Sequence, residues 1–450
     1  MEESLTKAEV PVAVHQRTSL IPMVIIGCLF FVFGFVTWLN GSLIPFLKIA
    51  CELNHMEAYF VTMAFYIAYT VMALPMAYVL KRTSYKNGIM LGLLVMAVGS
   101  LIFIPAANER MFSIFLLGLF MLGTGLTILQ TAANPYIVLL GPEESAAVRI
   151  SIMGLLNKGA GVIAPIIFTA FMLGDMGQFD EAQLAVITES QRNIQLNELA
   201  QRLADPYFIM AATLCVLAVF IKLSPLPAIN LEDKKQDNTN TSQNDSILAY
   251  PQLILGAITL FLYVGVEVIA GDTIGLFGQE LGVENFGQLT SYTMVFMVLA
   301  YLFGMFSIPR FMKQETALML SAVLGLLLTF LIMFTPRDSA VIWSSLIFWQ
   351  DAGYLPDVVL YVAMLGFANA LVWPAIWPMA LSGLGKHIET GSALLIMGIS
   401  GGALIPLAYG ALTEATTNSQ SSYIVMLPCY LFILFYALKG HKLRQWGSSS

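Results

Sequence analysis

"MLGTGLTILQTAANP" at residues 121–135 and "MLGFANALVWPAIWP" at 364–378 align without a gap, and both open on Met-Leu-Gly and close on proline. The chain carries one unit twice. The correspondence continues outward. With one residue of slippage "IMG" at 152–154 meets "IMG" at 396–398, "NGSLIPF" (40–46) lies over "GDTIGLF" (271–277), and the basic turn "LKRTSYK" (80–86) lies over "IPRFMKQ" (308–314). Whatever one half folds into, the other repeats in the same direction.

What the unit is follows from composition. Of the 450 residues 58% are hydrophobic and 11% charged, against about 25% charged in soluble domains. So few charges cannot cover a water-exposed surface. A hydrocarbon core of about 30 Å takes about 20 apolar residues per helix. Twelve runs qualify: 19–46, 57–80, 88–107, 111–140, 146–172, 206–224, 250–279, 289–309, 315–334, 356–384, 388–412 and 421–438. Strand alternation is absent, which argues against a barrel. The polar run "LEDKKQDNTNTSQND" (231–245) falls between the sixth run and the seventh. The expected fold is all-α and membrane-embedded, with twelve transmembrane helices in two six-helix repeats. Its parts are a polar N-terminus 1–18, a bundle 19–224, a linker 225–249, a second bundle 250–438 and a tail 439–450. Spans one, two, four and five then correspond to seven, eight, ten and eleven.

Short loops rich in Lys and Arg stay cytoplasmic. With both ends inside, the cytoplasmic side holds Lys81, Arg82, Lys86, Arg149, Lys222, Arg310 and Lys313 among others, and the opposite side only Lys48, Arg110, Arg192, Arg202 and Arg337. Both termini are therefore expected in the cytoplasm. The first 18 residues lack a cleavable signal pattern, so the first span is expected to be retained. Much of the net charge of −7 lies between Asp175 and Asp205, expected to be a solvated amphipathic excursion. Cys28, Cys51, Cys215 and Cys429 sit far apart without metal or redox spacing and are expected to be packing residues.

Two six-helix halves repeated in parallel are the construction of a major facilitator transporter, with the substrate between the halves near the midplane. The segments "FGFVTWLNGSLIPFLK", "LKRTSYKNGIMLGLL", "LQTAANPYIVLLGPEESAA" and "YVGVEVIAGDTIGLFG" resemble the fucose, galactose and glucose cation-symporter family of that superfamily, over nearly the whole chain. The resemblance implies symport of a neutral sugar with a proton or sodium ion in a cell membrane of the bacterial kind. One departure matters. Fucose permeases carry acids in spans one and four where this chain has Gly41 and Gln130, so coupling through those positions is closed and the glucose and galactose branch is the nearer likeness.

The missing acid has a counterpart. Gly41 of span one lies over Asp272 of span seven, so the carboxylate stands at the equivalent place in the other half. Glu267 lies five residues earlier. A carboxylate at the centre of a membrane helix costs at least about 2.5–3.5 kcal/mol and is functional by default. On a regular helix the two acids point about 140° apart. Gly271, with Gly265 and Gly275 nearby, permits an unwound turn with free carbonyls. Glu267, Asp272, the Thr273 hydroxyl and those carbonyls make sodium the expected coupling ion, with a proton as the alternative. Lys158, about 20 Å into span five, needs an acid partner or water. Glu267 and Asp272 both qualify, as a permanent pair or as a switch that changes with occupancy.

The sugar site is expected on spans four and ten. Gln130 and Asn134 are one turn apart, and the alignment places them over Trp373 and Trp377, with Asn369 a further turn back. Amides match sugar hydroxyls, and indoles match the C–H faces of the ring. Asn40 and Asn157 are further amides for the same cleft. There is no Walker loop, dinucleotide fingerprint or paired Cys/His spacing, so an enzyme, a cofactor or a nucleic-acid partner is not expected. The partners expected are a small sugar and the bilayer, with no obligate protein. A sugar-sensing receptor would need a larger cytoplasmic segment than the linker and tail supply. A multidrug antiporter would show a greasier cleft.

Overall fold

In hydrocarbon a backbone amide finds no water, so an apolar run must close its hydrogen bonds internally and becomes a helix. The computed structural model describes residues 20–139, 146–172, 187–226, 246–308, 310–346, 355–384 and 387–446. Among these there is no strand, and twelve spans are long and apolar enough to cross a membrane. The first half comprises α1 (Leu20–Trp38), α2 (Asn40–Ala50), α3 (Phe60–Arg82), α4 (Tyr85–Asn108), α5 (Phe112–Leu139), α6 (Ala146–Met172), α7 (Glu189–Gln201) and α8 (Ala204–Leu223). The second comprises α9 (Pro251–Asp272), α10 (Ile274–Glu280), α11 (Leu289–Ser307), α12 (Gln314–Phe334), α13 (Asp357–Ala370), α14 (Val372–Leu381), α15 (Ile388–Met397), α16 (Gly401–Thr416) and α17 (Met426–Leu438). Residues 1–19 and the linker core 231–245 lie outside the described residues.

Spans one, seven, ten and eleven are among those broken where the hydrophobic runs are continuous. Span one divides at Leu39, span seven at Thr273, span ten at Leu371 and span eleven at a 3-10 turn over Gly398–Ser400. In span ten the cause is local: Pro374 has no N–H to return to the carbonyl of Ala370, the last residue of α13. Of the outer excursion, residues 175–186 lie outside the described residues, and the rest is an amphipathic helix that is mostly exposed. Thr188 caps α7 in a reciprocal capping box with Gln191, and Leu196, Leu199 and Ala200 are fully buried against α2 and α4.

The halves meet along α6 against α11 and α3 against α16. At the end away from the termini they close tightly. There α2 packs on α10, and Ser42 Oγ donates to the Gly287 carbonyl at 2.6 Å. The approach needs glycine: a Cβ on Gly275 would lie 2.9 Å from the Gly41 carbonyl, and one on Gly41 would overlap Thr290 Oγ1. The repeat-related segments of spans one and seven thus approach backbone to backbone, at positions that are not themselves equivalent in the repeat. If the loop charges set the orientation, a C-terminal phosphatase fusion will be inactive and a C-terminal fluorescent protein bright. The opposite pattern would reverse the topology.

Candidate transport site

A cavity of about 140 Å³ lies where the halves join. Its walls come from α1, α3, α5 and α6 of one half and α9, α11 and α14 of the other, and it extends towards Ile137 and Ile150, on the side of the termini.

Lys158 sits in this wall. Its Nζ lies 2.8 Å from Glu267 Oε1, and both side chains are 9% exposed. The pair joins the two halves, and of the two acids available to Lys158 it is Glu267 that holds it. The ammonium also stands 4.1 Å over the centroid of the Trp38 ring. The rest of that ring is packed, because a Cβ on Gly161 or Gly271 would come within 2.7 or 2.6 Å of it. Trp38 Nε1 donates to Asn157 Oδ1 at 3.2 Å, and Asn157 Nδ2 donates to the Phe30 carbonyl at 3.4 Å. A cation, two acceptors and an indole are thereby fixed in one mid-membrane wall.

Asp272 ends α9 and is fully buried. The Tyr66 hydroxyl donates to its Oδ2 at 3.2 Å, while Oδ1 has no partner among the described residues. The oxygen cage expected for sodium is not gathered around it. Thr273 Oγ1 donates back to the Ile269 carbonyl at 2.7 Å, and the carbonyls of Ala270 and Gly271 accept the hydroxyls of Thr293 (2.8 Å) and Thr290 (2.7 Å). The break at Thr273 does release carbonyls, but threonines of α11 satisfy them. Among the described residues no cluster of three His, Cys, Asp or Glu could hold a metal.

Of the sugar candidates, Gln130, Asn157 and Trp373 line the cavity. Gln130 Nε2 donates to the Tyr69 hydroxyl at 3.0 Å, and Trp373 leans on Tyr263 with ring centroids 6.5 Å apart. Others are placed elsewhere. Asn369 is fully buried behind the wall and accepts from Tyr430 at 2.9 Å. Trp377 packs against Trp373, centroids 5.6 Å apart, and its Nε1 has no partner among the described residues. Asn40 is buried in α2, and its Nδ2 has no partner among them either. The Asn134 side chain lies outside the described residues. Sequence reasoning passed over Trp38, Tyr66, Tyr69, Tyr263 and Tyr301, all in the lining. The signal for Tyr66 and Tyr69 was present, since they are three residues apart and share a helix face.

The chain matches the Major Facilitator Superfamily over residues 26–406. It belongs to that superfamily. Among its relatives, the glucose/galactose transporter of Brucella abortus is 33% identical over 427 residues, covering 92% of each chain. The L-fucose-proton symporter of Haemophilus influenzae is 27% identical, covering 96% of this chain and 99% of its own. In fold the superfamily member resembles the crystal structure of the Escherichia coli fucose:proton symporter, with a TM-score of 0.69 at 24% identity over 94% of this chain and 98% of that one. It is a multi-pass membrane protein of a transporter family, not an enzyme.

Proposed function

We propose that this chain imports a neutral hexose of the glucose and galactose class across the plasma membrane by symport with a cation, bundle 19–224 rocking against bundle 250–438. The observation that carries the reading is the cavity itself, where Gln130 and Asn157 from one half face Trp373 from the other beside the buried Lys158–Glu267 pair. An amide on one side and an indole on the other suit a ring with hydroxyl edges and C–H faces. The name borne by the Brucella abortus relative supports the same substrate class.

Asp272 is the proposed coupling acid. A proton is favoured over sodium, because a proton needs one carboxylate oxygen and Asp272 Oδ1 has no partner among the described residues, whereas no group of three acidic or other metal-ligating side chains gathers around it there. Two of the relatives are named L-fucose-proton symporters, which points the same way. Sodium is the second reading, resting on the same unpartnered oxygen with Glu267 as its neighbour. The test is uptake of labelled glucose, galactose, fucose and N-acetylglucosamine into vesicles under an imposed proton or sodium gradient. Accumulation driven by sodium alone would reverse the choice of ion, and no accumulation of any sugar would remove the reading.

For the sugar site, Trp373→Ala and Gln130→Ala are each expected to weaken binding of the transported hexose by about 1–3 kcal/mol. Calorimetry on folded protein checks it; unchanged affinity in both would take them out of the site.

A further inference from the structure

Asp272 has no contact with the cavity of its own: it is absent from the lining and its exposure is 0%. Among the described residues its single side-chain bond runs to Tyr66, which does line the cavity. Tyr66 belongs to α3 in the first half and Asp272 to α9 in the second, so this bond crosses between bundles. The ring cannot swing. It is boxed by Phe65 at 5.0 Å and Tyr69 at 6.3 Å between centroids, and by Gly402 of α16, where an added Cβ would meet its Cγ at 2.9 Å. The hydroxyl hydrogen, which turns about the C–O bond, keeps its freedom. At 3.2 Å the bond is long for a hydroxyl on a carboxylate, where about 2.5–2.7 Å is usual, and so is easily released.

We propose that the Tyr66 hydroxyl is the positioning group that makes cation and sugar binding favour one another. This rests on the reading of Asp272 as the coupling acid. While Asp272 is ionised, its Oδ2 is an acceptor without a hydrogen of its own, and Tyr66 must point its single hydrogen at it. The side of the hydroxyl facing the cavity then offers only a lone pair. When the coupling cation neutralises Asp272, that demand ends. The hydrogen turns into the cavity and donates to a sugar hydroxyl. In reverse, a sugar that claims this hydrogen leaves the carboxylate short of a donor and raises its affinity for the cation. No bond other than the hydrogen bond is exchanged. Tyr69, stacked at 24° to Tyr66, accepts from Gln130 and fixes that amide beside the same point. The other charged groups that Asp272 feels are Glu267 and Lys158. They are paired with each other at 2.8 Å, so Tyr66 is its direct partner.

The test uses the full chain in proteoliposomes, with labelled glucose and galactose as probes. The coupling factor is the ratio of sugar Kd without the cation to sugar Kd with it, and for linked sites it commonly runs from about 5 to 150. Tyr66→Phe keeps the ring and removes the hydroxyl. It is expected to reduce the factor about 2- to 12-fold, the worth of one hydrogen bond. Tyr69→Phe is expected to weaken sugar binding equally with and without the cation, leaving the factor unchanged. Asp272→Asn run in parallel separates the two claims. If Asp272→Asn keeps the parental factor, the coupling acid has been misassigned. If it loses the factor and Tyr66→Phe keeps it, Asp272 stands and the hydroxyl switch is overturned. Should Tyr66→Phe fail to fold, a ring-fluorinated tyrosine at position 66 keeps the shape and strengthens the donor. A changed factor then supports the switch, and an unchanged one overturns it.

Discussion

Asp272→Asn is expected to abolish gradient-driven accumulation, so that the internal sugar concentration levels off at about the external one, while counterflow of labelled sugar against unlabelled continues. The prediction follows from linkage: in a symporter each ligand raises the affinity for the other by the same factor, and the acid that binds the cation carries that factor. Asparagine has the size of aspartate, so the break at Thr273 and the packing of α9 remain. What disappears is a group able to take a positive charge. Vesicles loaded under one fixed gradient decide the matter. A variant that concentrates sugar as the parent does would move coupling to Glu267 or away from both acids.

Lys158→Met is expected to lower stability by about 3–5 kcal/mol, the usual effect of removing one partner from a buried ion pair. Methionine fills much of the lysine volume, so the loss comes from Glu267 left ionised near mid-membrane at 7% exposure, not from a void. The Trp38 ring also loses the cation that stands over it. The double variant Lys158→Met/Glu267→Gln is expected to recover most of the loss, because it removes the stranded charge as well. Thermal unfolding in detergent, analysed as a double-mutant cycle, measures the interaction. If the single variant melts with the parent, the pair is not a structural tie.

Much of the fold was legible because the bilayer restricts the choices. A run of about 20 apolar residues has one stable outcome in hydrocarbon, and the twelve runs recur as twelve spans. The depth of Lys158 followed from helical rise alone, and so did its need for an acid partner or water. The faces of the helices were not legible. In a water-soluble bundle the apolar stripe marks the core, but here lipid and core are both apolar. Leu223 is 79% exposed and Leu126 is 0% exposed, with nothing in the residue type to separate them. Repeat register and helical spacing group Trp377 and Asn369 with Trp373, although the break at Leu371 and the packing behind it put Trp373 in the lining and the other two outside.

By itself the sequence determined that this is a duplicated, membrane-embedded helical protein, that its charged residues at depth are Lys158, Glu267 and Asp272, and that Asp272 stands where the first half has glycine. Those facts depend on hydropathy, count and repeat register, which are properties along one dimension. The tertiary structure decided the pairing. Lys158 met Glu267 across 109 positions of sequence and Tyr66 met Asp272 across 206. Each contact depends on how far a helix of one half is rotated towards a helix of the other. Rise per residue fixes depth, but rotation is set by close approaches such as Gly41 on Gly275 and Gly402 on Tyr66, which exist only once both halves have packed.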